Sequence, residues 1–199
     1  MNTSANPAGS RPQGAESSPL GRAVAYRDTY APELLFPIER QLKRDELGLK
    51  PDALPFVGED LWNAYELSWL DPRGKPVVAL AGFRVPASSP RLIESKSLKL
   101  YLNAFNQQQC TDADEVRSLI ARDLSAAAGA QVAVSVEPLT LRPQRASAYP
   151  DGICLDGLEV DIDTYQPAPE QLRAGGGEVT ETLYSHLLKS NCLVTGQPD

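Results

Sequence analysis

Ile93-Glu94-Ser95-Lys96-Ser97-Leu98-Lys99-Leu100-Tyr101-Leu102-Asn103-Ala104-Phe105-Asn106 is the stretch around which the rest of the chain is organised. Leu98, Tyr101, Leu102 and Phe105 fall at i, i+3, i+4 and i+7, which predicts an amphipathic helix with one apolar face. Ser95 and Ser97 stand where helix N-caps belong, and the carboxylate Glu94 lies just ahead of them. Lys96 and Lys99 share the first turn, where cations work against the helix dipole. An anion bound at that end would relieve the conflict, because free N–H groups and two ammonium groups would face it. On spacing alone the plainer reading is a capped surface helix with solvated lysines.

Working outward toward the N-terminus, Tyr65-Glu66-Leu67-Ser68-Trp69 alternates apolar and polar residues, the period of a half-buried strand. Asp71-Pro72-Arg73-Gly74-Lys75 is turn chemistry, and Val77 to Val85 reads as a second strand, so the pair is expected to be an antiparallel hairpin ended by Pro86 and Pro90. Val24 to Phe56 carries prolines, aromatics and charges without long periodicity; it reads as an arm with short turns, docked by Leu34, Leu35, Phe36 and Phe56. Residues 1–22, rich in Ala, Gly, Ser and Pro, read as a flexible tail.

In the other direction a second helix is expected from Thr111 as N-cap, with Asp112, Asp114 and Glu115 in its first turn. Val116, Leu119, Ile120, Leu124 and Ala127 trace its buried stripe, and Gly129 is placed to stop it. Val132, Val134 and Val136 predict a third strand closed by Pro138, and Ile153 to Tyr165 a fourth, whose later part alternates Leu158, Val160 and Ile162 with Glu159, Asp161 and Asp163. Two strands, two helices and two strands make an α+β unit, an antiparallel sheet with both helices on one face. Residues 167–177, with Gly175-Gly176-Gly177, read as a loop or module linker. Val179 to Tyr184 favours a strand, although Leu183, Leu187 and Leu188 also fit one helix face.

The net charge of −7 offers no basic stripe for nucleic acid. No apolar run reaches the roughly 18 residues of a membrane span, and no signal-peptide core is present, so a cytoplasmic protein is expected. Cys110, Cys154 and Cys192 form no CxxC pair, and with His186 as the one histidine a metal site is not expected. No GxGxxG or Walker A pattern occurs. A lone cysteine is ordinarily a small buried hydrophobe, and that reading stands for all three on residue type alone.

Glu94-Ser95-Lys96-Ser97-Leu98-Lys99-Leu100-Tyr101 resembles the signature of the NADPH-dependent 7-cyano-7-deazaguanine reductases, the nitrile reductases of queuosine biosynthesis. A second block, from Ser185 through Lys189-Ser190-Asn191-Cys192 to Gly196-Gln197-Pro198-Asp199, resembles the segment that carries that family's nucleophilic cysteine and its acid. The resemblance runs from about Tyr26 to the last residue, and its order is that of the longer form, with two fused tunnelling-fold modules. It implies a tunnelling fold, with residues 23–166 as the first module and its arm and 178–199 as the opening strand of the second. It implies Cys192 as nucleophile toward the nitrile, Asp199 as general acid, Glu94 with Ser95 and Lys96 as the substrate readers, and Lys96, Ser97 and Lys99 as the NADPH-facing group. The small molecule 7-cyano-7-deazaguanine is then the substrate, and a homo-oligomer is the expected assembly.

The family's catalytic histidine lies further along, so its role does not transfer to His186. Most of a second module would follow Asp199, and these 199 residues alone are expected to be inactive. Two rivals remain open: a non-catalytic module for purine binding or oligomerisation, and a cysteine hydrolase or amidotransferase. The latter lacks a usable base, because His186 is only six residues from Cys192.

Overall fold

Pro32 supplies a fixed φ for a 3-10 turn, Pro32–Leu34, and behind it the extended residues Pro37–Glu39 form the first strand, β1. The computed structural model describes residues 14, 17–19, 25, 27–139, 151–165, 168–173 and 175–187, which divide into one unit up to residue 139 and a second over 151–187. Leu34 and Leu35 pack against the core as expected, whereas Phe56 is largely exposed and does not dock the arm. The arm is also more regular than its sequence suggests. β1 is followed by a short helix, α1 (Gln41–Glu46), which holds Arg44 buried with its guanidinium on the Ala87 carbonyl.

The hairpin consists of β2 (Glu59–Leu70) and β3 (Pro76–Pro86), antiparallel and joined by the turn expected at Asp71 to Lys75. The Asp71 carboxylate accepts the backbone N–H groups of Arg73 and Lys75, both at 2.9 Å, and Gly74 takes φ +81°. β2 is longer than the sequence pattern indicated, and it contains a bulge. Ala64 pairs with Ala81 but Leu67 pairs with Ala79, so three steps on β2 answer two on β3. The extra residue switches the inward parity from Trp62 and Ala64 to Leu67 and Trp69. Tyr65 therefore does not share the inner face with Leu67; it is 69 % exposed.

A three-residue strand, β4 (Arg91–Ile93), pairs antiparallel with β1 and leads directly into α2 (Ser95–Asn103). This strand lies between Pro90 and the helix, where the sequence pattern predicts none. The second helix, α3 (Ala113–Ala128), starts one residue later than expected. Asp112 is its N-cap, accepting the Glu115 N–H at 2.8 Å, while Glu115 reaches back to the Thr111 N–H at 2.6 Å and hydroxyl at 2.7 Å. Gly129 ends α3 at φ +71°, and a Cβ there would come within 2.7 Å of the Pro90 ring, so the site is closed to larger residues on two counts. β5 (Ala133–Pro138) then pairs antiparallel with β3, giving the sheet order β2-β3-β5.

The inner face of this sheet, Leu67, Trp69, Ala79, Ala81, Phe83 and Val85, shares one core with Leu98 and Tyr101 of α2 and with Val116, Ile120 and Leu124 of α3. Both helices thus cover one face of an antiparallel sheet, a mixed α/β layer arrangement.

In the second unit, β6 (Ile153–Cys154) pairs in parallel with β7 (Leu183–Tyr184), and a 3-10 turn lies at Pro169–Gln171. The fourth strand expected over Ile153 to Tyr165 does not form beyond Cys154. Leu158, Val160 and Ile162 are 60 %, 64 % and 63 % exposed. Alternation prepares a segment for a sheet face, but a strand also needs a neighbouring edge, and no described residue pairs with this one. Leu183 and Tyr184 are extended, which settles the strand-or-helix alternative at that point in favour of strand.

Candidate functional site

The residues of the helix signature converge on the start of α2. Its N-cap is Glu94, not Ser95 or Ser97: in extended conformation (φ −67°, ψ 135°), the glutamate turns its carboxylate back over the first turn. Oε1 accepts the Lys96 N–H at 2.6 Å and Oε2 the Ser97 N–H at 2.7 Å. Two of the orphan donors of the helix are thereby satisfied by the protein's own anion, which also offsets the two lysines in electrostatic terms. Glu94 is only 2 % exposed. The signal for this cap was present in the sequence but is uncommon, since Glu is longer than the usual capping residues.

The backbone around Glu94 is equally fixed. Its N–H donates to the Phe36 carbonyl at 2.9 Å, continuing the β1–β4 pairing, and its own carbonyl accepts the Leu98 N–H at 3.0 Å. Ser97 is fully buried; its hydroxyl donates to the Glu94 carbonyl at 2.7 Å and accepts the Phe36 N–H at 3.0 Å. Ser95 is half-buried, with its hydroxyl 3.5 Å from Glu94 Oε1. Lys96 is half-buried, and its ammonium donates to the Pro19 carbonyl at 3.2 Å beside the buried Ser18; Lys99 is exposed.

Behind α2 lies a polar cluster that the sequence reading missed. Asp123, buried on α3, accepts the Tyr30 hydroxyl at 2.5 Å and the Tyr101 hydroxyl at 2.8 Å on the same oxygen, Oδ2, and the Arg122 Nε at 2.9 Å on Oδ1. Burial, reinforced by the Asp123 carboxylate, pushes the Tyr30 phenol up to about 12 and moves Tyr101 further in the same direction. The clue was legible. Asp123 falls three residues after Ile120, on the stripe otherwise filled by Val116, Ile120 and Leu124.

Of the cysteines, Cys110 is buried as a packing residue should be, and burial with the nearby Glu115 and Asp112 carboxylates pushes its thiol up to about 11. Cys154 was expected to pack but is exposed, at the end of a two-residue strand. Its neighbour Asp156 accepts the His186 N–H at 3.1 Å, and the His186 ring lies edge-on to Tyr184 at 5.5 Å. Cys192 and Asp199 lie outside the described residues. Among the described residues no group of His, Cys, Asp and Glu could hold a metal ion, and no helix is long and apolar enough to cross a membrane.

Comparison with known proteins supplies the family. A family profile described as "Nitrile reductase, 7-cyano-7-deazaguanine-reductase N-term" matches residues 26–136. A relative from Azoarcus sp. (strain BH72), named NADPH-dependent 7-cyano-7-deazaguanine reductase, is 70 % identical over 199 residues, covering 100 % of this chain and 69 % of its own length. Relatives of the same name from Aromatoleum aromaticum and Dechloromonas aromatica are 66 % and 62 % identical, over 98 % and 92 % of this chain and 69 % and 65 % of theirs. With a matching profile over more than half its length and relatives this close, the chain belongs to the 7-cyano-7-deazaguanine reductase family of nitrile reductases.

Proposed function

We propose that this protein acts in the NADPH-dependent reduction of the nitrile of 7-cyano-7-deazaguanine to the 7-aminomethyl compound, a step of queuosine biosynthesis for tRNA modification. The observation that carries the reading is a buried carboxylate, Glu94, held at the start of α2 within a chain 70 % identical to a reductase of that name. A deazaguanine presents N–H donors on its pyrimidine edge. Oε1 accepts the Lys96 N–H with the Ser95 hydroxyl at 3.5 Å, and Oε2 accepts the Ser97 N–H; a carboxylate oxygen has a second acceptor position, so Oε2 keeps capacity for such a donor without giving up the cap. Ser95 and Lys96 flank it.

Lys96 and Lys99, one turn apart, fit the phosphates of NADPH as point charges. The helix start offers them less help than a bare one, because Glu94 already takes the Lys96 and Ser97 N–H groups. Ser97, buried, serves the cofactor by fixing the turn that carries both lysines. When bound, NADPH supplies the hydrides, two of which are needed to take a nitrile to a primary amine.

For the covalent step we assign Cys192 as the thiolate that adds to the nitrile carbon. The C–S bond forms as the C≡N π pair moves to nitrogen, which takes a proton from Asp199 to give a thioimide. The site must keep water from hydrolysing that adduct. We further infer a tunnelling fold, with residues 23–166 as the first module with its arm, 167–177 as linker and 178–199 as the opening of the second, and a cytoplasmic homo-oligomer with no nucleic-acid or membrane partner. One feature supports assembly: β2 and β5 are the outer strands of their sheet, each pairing only with β3 among the described strands. Nitrile-dependent oxidation of NADPH by the purified native protein with both modules, the amine identified by mass, tests the reading; oxidation without the nitrile, or none with it, contradicts it.

A further inference from the structure

The Asp123 cluster has no part in the chemistry above, yet it is connected to the site through two chain segments. Tyr30 belongs to the arm and Tyr101 to α2, and one oxygen of Asp123 receives both hydroxyls. The rings of Tyr30, Tyr101 and Phe105 pack edge-on, with centroids 5.4 to 6.4 Å apart. From Tyr30 the arm runs beside α2 to Phe36, whose N–H and carbonyl bind the Ser97 hydroxyl and the Glu94 N–H. Arm and helix are thus fastened at both ends, by Asp123 at one and by Glu94 and Ser97 at the other.

We propose that Asp123 is a positioning residue for the Glu94 site, acting through the Tyr30 and Tyr101 hydroxyls to set the arm against α2. The proposal rests on Glu94 being the substrate reader. A buried carboxylate is unfavourable unless its acceptors are filled, and here three side-chain donors fill them. An apolar residue at this position would pack as well but would leave the two segments free to slide past each other. An asparagine is neutral and keeps one acceptor oxygen, so the tyrosine hydroxyls lose their charged acceptor where that oxygen faces them and lose the bonds altogether where the NH2 group does.

The test has two readouts on the native protein with Asp123→Asn. Hydrogen exchange should accelerate about tenfold or more at the Phe36 and Glu94 amides relative to core amides of β3 such as Phe83. The Kd for 7-cyano-7-deazaguanine, by calorimetry, should rise about tenfold, and Asp123→Asn should add no further loss in a Glu94→Ala background. Exchange that accelerates equally everywhere overturns the proposal, because it reports stability alone. Local loosening with unchanged nitrile affinity overturns it too, provided Glu94→Ala does weaken binding. If Glu94→Ala has no effect on binding, the substrate-reader assignment fails and this proposal falls with it. Should Asp123→Asn not fold, Tyr30→Phe removes one hydroxyl, keeps the ring and carries the same two readouts.

Discussion

Glu94 and Ser97 are bonded twice: the Ser97 N–H donates to the Glu94 carboxylate at 2.7 Å, and the Ser97 hydroxyl donates to the Glu94 carbonyl, also at 2.7 Å. One residue therefore has a structural duty and a proposed functional one, and the two can be separated. Glu94→Ala should cost about 0.5–2 kcal/mol of stability as a lost N-cap. It should also weaken nitrile binding by about 1–3 kcal/mol as a lost charged acceptor. Ser97→Ala removes the hydroxyl that Phe36 relies on; it should lower stability while leaving the carboxylate in place. Urea unfolding and calorimetry on the same samples check both.

Lys96 and Lys99 should differ from each other. Each alanine variant should raise the KM for NADPH more than that for the nitrile, and both penalties should be larger at low salt. The exposed Lys99 should show the steeper salt dependence, since Lys96 is half-buried against Pro19. Steady-state kinetics at two ionic strengths decide it; equal effects on both substrates would reject the assignment.

The bulge predicts opposite outcomes at two residues only two positions apart. Tyr65→Ser should change stability by no more than about 0.5 kcal/mol, as at an ordinary surface position. Leu67→Ala should cost about 2–5 kcal/mol, because Leu67 is packed in the core beside Trp69. Chemical denaturation of the two variants is the measurement.

The same bulge illustrates what a sequence can and cannot say. The hairpin, both helices and the Val132 to Val136 strand were legible, because each has a sustained period and a capping or turn residue at its end. Tyr65 was misread because alternation through Tyr65, Leu67 and Trp69 is unbroken in the sequence; only the pairing with β3 reveals the extra residue. β1 and β4 are three residues each, too short for a period, and exist through pairing with each other. Leu158 to Ile162 failed in the reverse way, with a clean period and no partner edge among the described residues. At the start of α2, the sequence placed Glu94, Lys96 and Lys99 together, but residue type alone pointed to serine as the cap. Asp123 was passed over because its partners are 22 and 93 residues away in sequence.

Alkaline pH should reveal the tyrosine clamp. Tyr30 ionises near 12 in the folded protein against 10.0 ordinarily, and Tyr101 is shifted the same way, so the folded state favours the protonated phenols. The contribution of Tyr30 to stability is complete below pH 10 and is lost as the pH rises from 10 toward 12, where the unfolded chain has already released its protons, while that of Tyr101 goes on falling above this range. The urea midpoint of the wild-type protein should fall across that window. Tyr30→Phe should start lower and fall less.

The most direct test of the account is the covalent adduct. Native protein with both modules, mixed with 7-cyano-7-deazaguanine in the absence of NADPH, should gain the mass of one nitrile molecule per chain, read by intact mass spectrometry. Cys110→Ala and Cys154→Ala should retain the adduct, and Cys192→Ala should lose it. An adduct that survives Cys192→Ala, or none on the native protein, would contradict the assignment of Cys192 as the nucleophile.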